Sequence, residues 1–132
     1  MHDPTTARAD PAVALVERYI DMWNETDAGR RGAIAAAILT PDALYLDPVM
    51  SGEGPEGVSA MVGAAQQQFA GLVFALRGAP QATGDFLRFS WTLGPAGGPP
   101  VVAGADFAEL RDGRFARITG FIDQAPGEPP VS

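Results

Sequence analysis

The order of its regular segments constrains this chain more than any other feature. Helical patterning comes first and strand patterning last, with no alternation between the two. A doubly wound parallel sheet needs a helix after each strand, so this order predicts instead an α+β fold, with helices covering one face of an antiparallel sheet. The strand-like runs are Phe86 to Leu93, Val101 to Leu110 and Arg114 to Asp123, preceded by a less regular run from Val73 to Gln81. Between them stand Gly94-Pro95-Ala96-Gly97-Gly98-Pro99 and Arg111-Asp112-Gly113, turn chemistry that joins consecutive strands into a meander.

Upstream, residues 1–10 read as a flexible tail, and Asp10-Pro11 reads as an N-cap with a first-turn proline. Val13, Val16, Ile20 and Trp23 then recur at the helical period with Tyr19 beside them, while Glu17, Arg18 and Asp21 fall on the other side. Thr26 and Asp27 can cap a second helix through Ile34 and Ile38, which stops before Thr40-Pro41 because a residue preceding proline avoids the helical region. Ala43 to Pro48 alternates as a short strand that sets Tyr45 and Asp47 on one face. Ser51 to Gly54 reads as a turn, and Pro55 and Glu56 open a third helix reaching about Gly71. One domain over residues 11–124 accounts for all of this, leaving residues 125–132 as a proline-rich tail.

The strand faces carry the first hint of function. Leu87, Phe89, Trp91, Val102, Gly104, Asp106, Ala108, Ile118, Gly120 and Ile122 fall on the face that the helices must cover. One carboxylate on an apolar row is costly unless it is paired, hydrated or protonated, so Asp106 asks for a partner. Gly104, Ala108 and Gly120 leave unfilled space beside it, as a cavity requires. The expected wall of that cavity is Trp23, Tyr45, Met61, Leu87, Phe89, Trp91, Gly104, Ile118 and Ile122. On the opposite face Phe107 and Phe121 stand among polar residues, which predicts a homodimer through the outer sheet face.

Composition removes several alternatives. Nine Lys plus Arg against sixteen Asp plus Glu give a net charge of −7, which repels phosphate backbones and anionic lipid, so neither nucleic acid nor membrane is an expected partner. There is no cysteine, and the single histidine is His2 in the expected tail. A disulfide framework, a thiolate metal site and a histidine general base are thereby set aside, and the default compartment is the cytoplasm.

Several segments together resemble a known family. They are Tyr19-Ile20-Asp21-Met22-Trp23-Asn24, the strand ending Tyr45-Leu46-Asp47-Pro48, the Gly52 to Gly57 turn into the third helix, and Asp106-Phe107-Ala108-Glu109-Leu110 leading to Asp112-Gly113-Arg114. Their order and spacing resemble the nuclear transport factor 2-like superfamily in its SnoaL-like branch. The resemblance implies three helices on a curved sheet, a cone-shaped pocket between them, and a dimer. It also implies a cofactor-independent isomerase or polyketide cyclase, with no metal and a small apolar or aromatic ligand. Tyr19 and Asp106 match the positions with which ketosteroid isomerases hydrogen-bond the substrate oxygen, and Asp47 matches the base that moves the proton. Such a pair of carboxyl groups works because one is kept neutral by apolar surroundings while the other stays ionised. Leu39 and Val62 stand where those isomerases have supporting tyrosines, and Trp23 and Trp91 narrow the space, so a steroid-sized substrate is not expected. Gly104 stands where the superfamily's epoxide hydrolases need arginine.

Plainer readings of the same residues remain open. Asp47 before Pro48 can simply accept turn hydrogen bonds, and Tyr19 can be a core tyrosine whose hydroxyl reaches Asp106. The rival function is a non-catalytic module that binds a hydrophobic ligand or dimerises.

Overall fold

In the computed structural model, which describes residues 4–124 with side chains from residue 11 onward, helices α1 (Pro4–Asn24), α2 (Ala28–Ile38) and α3 (Gly54–Gln68) overlie a six-stranded sheet. The strands are β1 (Leu39–Leu46), β2 (Ser51–Glu53), β3 (Leu72–Thr83), β4 (Phe86–Pro95), β5 (Val102–Arg111) and β6 (Arg114–Gln124). His2 and the 125–132 segment lie outside the described residues. The first helix begins at Pro4, ahead of the expected Asp10-Pro11 start, and carries Pro11 in its interior. A proline there forgoes one i→i−4 bond and disfavours the helix without being able to forbid it. The start of α2 is as expected, with the Asp27 carboxylate accepting the Arg30 amide at 2.8 Å.

The sheet order is β2-β1-β6-β5-β4-β3. Strands β3 to β6 form the expected antiparallel meander. Its β5–β6 turn is two residues long, with Asp112 and Gly113 both at positive φ (54° and 78°), the type I′ geometry that suits the right-handed twist of a hairpin. Strand β1, however, pairs with β6 in parallel, so the sheet is mixed. The cause is topological: α3 carries the chain from β2 to the far edge, and the meander returns strand by strand to lie alongside β1. The β1–β6 register breaks between Leu39 and Leu44, where Pro41 has no amide proton to offer. Ser51 to Glu53, expected as a turn only, pairs with the end of β1 as strand β2.

Phe115 also departs from the expected pattern. Strict alternation puts it on the outer face, yet it is fully buried. Glu109 pairs with Arg117 and Leu110 with Phe115, so Ala116 is an extra residue in β6. That bulge turns the side chain before it to the helix side. There Phe115 joins Val16, Met22, Val62, Phe89 and Ile118 in one apolar core.

Helix α1 lies along β3, α3 lies over β1, and α2 packs on both helices. Buried Arg31 ties them together without an acidic partner among the described residues. Its Nε donates to the Ser59 carbonyl (3.0 Å), and its Nη1 donates to the Glu25 carbonyl and to Gln66 Oε1 (3.1 Å each). Gln66 Nε2 in turn donates to the carbonyls of Trp23 (3.0 Å) and Glu25 (2.8 Å). The carbonyls of Trp23, in the last turn of α1, and of Glu25, just beyond it, are thereby satisfied, and the Trp23 backbone is tied to α3. No helix among the described residues is long and apolar enough to cross a membrane.

Candidate functional site

Asp106 lies mid-strand in β5, opposite Phe89 on one side and Gly120 on the other, and is only 2% exposed. Both of its oxygens are engaged. The Tyr19 hydroxyl donates to Oδ2 at 2.8 Å, and the Trp91 indole N–H donates to Oδ1 at 2.9 Å. Trp91 reaches it because its cross-strand neighbour is Gly104. A Cβ at position 104 would stand 2.5 Å from Trp91 Cζ2 and would overlap the Phe121 carbonyl oxygen. The space that sequence patterning assigns to a cavity at Gly104 is therefore taken by the indole.

Gly120 has the other role. A Cβ there would sit 3.0 Å from Asp106 Oδ1, 3.1 Å from Asp47 Cβ and 3.3 Å from the Tyr45 hydroxyl oxygen. Two carboxyl groups and a phenol thus converge on one bare position. Asp47 follows β1 directly and is half-buried. Its Oδ2 accepts from the Tyr45 hydroxyl at 2.5 Å, and its Oδ1 accepts from the amides of Val49 and Met50 at 2.8 Å each. The Asp47 amide donates to the Met50 carbonyl at 3.0 Å, closing the turn into β2.

Burial dominates the titration of Asp106, Tyr45 and Tyr19. It pushes Asp106 up to about 6, against the pull of the Trp91 and Tyr19 hydrogen bonds and with a further upward push from the Asp47 charge. Burial likewise raises Tyr45, aided by the Asp106 charge and the hydrogen bond to Asp47, and it raises Tyr19 well above the usual phenol, aided by Asp106. Both phenols therefore remain hydrogen donors at neutral pH.

A cavity of about 300 Å³ opens beside this cluster. Trp23, Tyr45, Asp47, Trp91 and Ile122, all expected there or at the catalytic centre, lie on its wall. Met61, Leu87, Phe89 and Ile118, expected as wall, are packed into the core, and Gly104 lies beneath the indole. Tyr19 and Asp106 form their pair behind the wall rather than on it. Phe74, Phe69 and Met50 also line the wall and are not apparent from sequence patterning. Phe74 belongs to the run Leu72 to Leu76, which is apolar on both faces and so hides its alternation. No group of three or more His, Cys, Asp or Glu side chains among the described residues could hold a metal ion. Leu39 and Val62 are buried in the core and bring no donor to Tyr19.

Three helices over an open curved sheet, with a small apolar cavity at their junction, define a nuclear transport factor 2-like α+β protein. Within that class the chain belongs to the SnoaL-like family: the family model of the SnoaL-like domain matches residues 16–118. A crystal structure from Agrobacterium tumefaciens, provisionally called an isomerase of the SnoaL-like family, superimposes with a TM-score of 0.82 at 37% identity, over 86% of this chain and 98% of that one. A protein of Kribbella flavida, provisionally called a ketosteroid isomerase, gives a TM-score of 0.67 at 25% identity over 93% and 85% of the two chains. A Catenulispora acidiphila protein with a ketosteroid isomerase-like fold, crystallised with trimethylamine, shares the fold with a TM-score of 0.66 at 17% identity over 80% and 82%. No curated protein sequence matches this chain.

Proposed function

We propose that the protein is a cofactor-independent isomerase or cyclase that moves a proton next to a carbonyl on a small, mostly apolar substrate, with Asp47 as the base. The observation that carries this reading is the carboxylate of Asp47 on the wall of an apolar cavity, hydrogen-bonded at 2.5 Å to a phenol that burial keeps protonated. Asp47 Oδ2 takes the proton from the carbon next to the carbonyl. As it does so it stops attracting the Tyr45 hydroxyl, which is then free to donate to the oxygen where enolate charge develops. Returning the proton to another carbon completes an isomerisation, and attack of the enolate on a second carbonyl completes a ring closure. Tyr19, Asp106 and Trp91 act behind this pair. Their mutual hydrogen bonds hold Trp91 in the wall and keep a second carboxyl group beside Gly120. The isomerase names given to the Agrobacterium tumefaciens and Kribbella flavida proteins agree with this chemistry, and the trimethylamine in the Catenulispora acidiphila structure agrees with a small ligand.

One observation favours a binding protein without turnover. Asp47 Oδ1 is held by two backbone amides, and Tyr19 and Asp106 satisfy each other away from the cavity. Exchange of α-hydrogens separates the two. A panel of small ketones and β-dicarbonyl compounds is incubated with the protein in D2O and followed by proton NMR. Accelerated loss of an α-proton signal, abolished in Asp47→Asn and weakened in Tyr45→Phe, supports catalysis. Binding without exchange for every compound that binds establishes the rival. We also propose that the outer sheet face is a homodimer surface, since Phe107 and Phe121 lie exposed there, edge to face at 5.7 Å.

A further inference from the structure

Four of the aromatic rings on the cavity wall pack against one another at varied tilts. Trp23 meets Tyr45 at 5.8 Å and 56°, and Phe74 at 4.9 Å and 50°, while Phe74 meets Trp91 at 5.7 Å and 60°. Rings packed this way present π faces and edges round a corner instead of a flat slot for one planar molecule. Two of the four are also polarised by carboxyl groups: Trp91 donates its N–H to Asp106, and Tyr45 its O–H to Asp47. A hydrogen bond to an anion returns electron density to the ring, which strengthens the negative potential of its face.

The charges point the same way. The lining includes a carboxylate, Asp47, and no Lys, Arg or His, and Asp106 lies just behind it around Gly120. An anionic ligand would meet uncompensated repulsion in such a place, whereas a cation with an apolar shell meets attraction from both the rings and the carboxylates. The surplus of acidic residues over the whole chain adds a long-range pull on cations. A group that must be both greasy and positively charged is an alkylated ammonium.

We infer that this cavity binds a small alkylammonium group, its methyl groups against Trp23, Tyr45, Phe74 and Trp91 and its charge offset by the carboxyl groups that converge on Gly120. The inference rests on the reading of the cavity as the ligand site, and it narrows the proposed substrate class to carbonyl compounds that carry such a group. An ammonium substituent near the carbonyl also acidifies the adjacent C–H, which assists the proton transfer assigned to Asp47.

Choline and 3,3-dimethylbutan-1-ol have the same shape and differ in charge, so they isolate the effect. Each is titrated against the full-length protein at pH 8 by calorimetry and by tryptophan emission. Choline is expected to bind at least about tenfold more tightly than the alcohol, as a desolvated cation against several rings should. Phe74→Leu keeps an apolar wall but loses a π face, and should weaken choline several-fold while leaving the alcohol unchanged. Asp47→Asn should likewise cut the preference for choline. Equal binding of the two probes, or tighter binding of the alcohol, overturns the cation assignment and leaves the cavity as an apolar site. Binding of neither probe overturns both the inference and the reading of the cavity on which it rests. Choline binding in a protein that exchanges no α-protons supports the inference and counts only against the proposed catalysis.

Discussion

Replacing Asp106 by asparagine changes one group and removes one buried charge. Burial lifts this carboxyl from an ordinary 3.8 to about 6, which at about 1.4 kcal/mol per pH unit amounts to about 3 kcal/mol. The folded-state value lies above the unfolded one, so the folded protein holds this proton more tightly. The associated stability is fully present below about pH 4 and is lost as the pH rises through about 6. Asparagine cannot ionise and suffers no such loss. It can also satisfy both neighbours, its carbonyl accepting from Trp91 and its amide donating to the Tyr19 oxygen, because the phenol can turn from donor to acceptor. Asp106→Asn should therefore be more stable than the wild type at pH 8 by up to about 3 kcal/mol, or about 10 °C in Tm for a chain of this size. The advantage should shrink steadily towards pH 4. Thermal melts of the two proteins at matched pH, together with NMR titration of the carboxyl carbon, measure both quantities. A mutant less stable at pH 8, or a difference that grows as the pH falls, would mean that the two donors hold an ionised carboxylate more strongly than burial opposes it, and the reasoning would fail.

Tyr19→Phe removes one of the two donors that hold Asp106 down, so the carboxyl midpoint should rise above about 6 in the same NMR titration. Gly104→Ala sets a methyl group into the Trp91 ring, and should cost about 1–3 kcal/mol while shifting the tryptophan emission as the indole leaves Asp106. Phe115→Ala should cost about 3–5 kcal/mol in denaturant unfolding, a size that only a core residue gives and an outer-face residue would not. Phe107→Asp should shift a dimer towards monomer in light scattering, whereas a wild-type monomer would remove the interface altogether.

Much of this molecule is written in local pattern. The succession of helical and alternating periods determines the α+β class, the Asp112-Gly113 hairpin and the rows of residues on each sheet face, because these depend only on a residue's near neighbours in the chain. The lone aspartate on an apolar row is legible for the same reason, and so is its need for a partner, which Tyr19 supplies. What local pattern cannot carry is any event in which one residue shifts the frame or one side chain fills another's space. The extra residue Ala116 turns Phe115 into the core, and nothing in the spacing of β6 announces it. The parallel pairing of β1 with β6 depends on where the chain returns after some seventy residues, a global matter of topology. Above all, a glycine on a strand says that space exists and not who takes it. At Gly104 the Trp91 indole takes it, which closes off Asp106 and Tyr19; at Gly120 Tyr45 and Asp47 draw up to Asp106, and it is this second pair that reaches the cavity wall. Only packing in three dimensions decides between those outcomes, because it depends on which side chains from distant strands reach the same few cubic ångströms first.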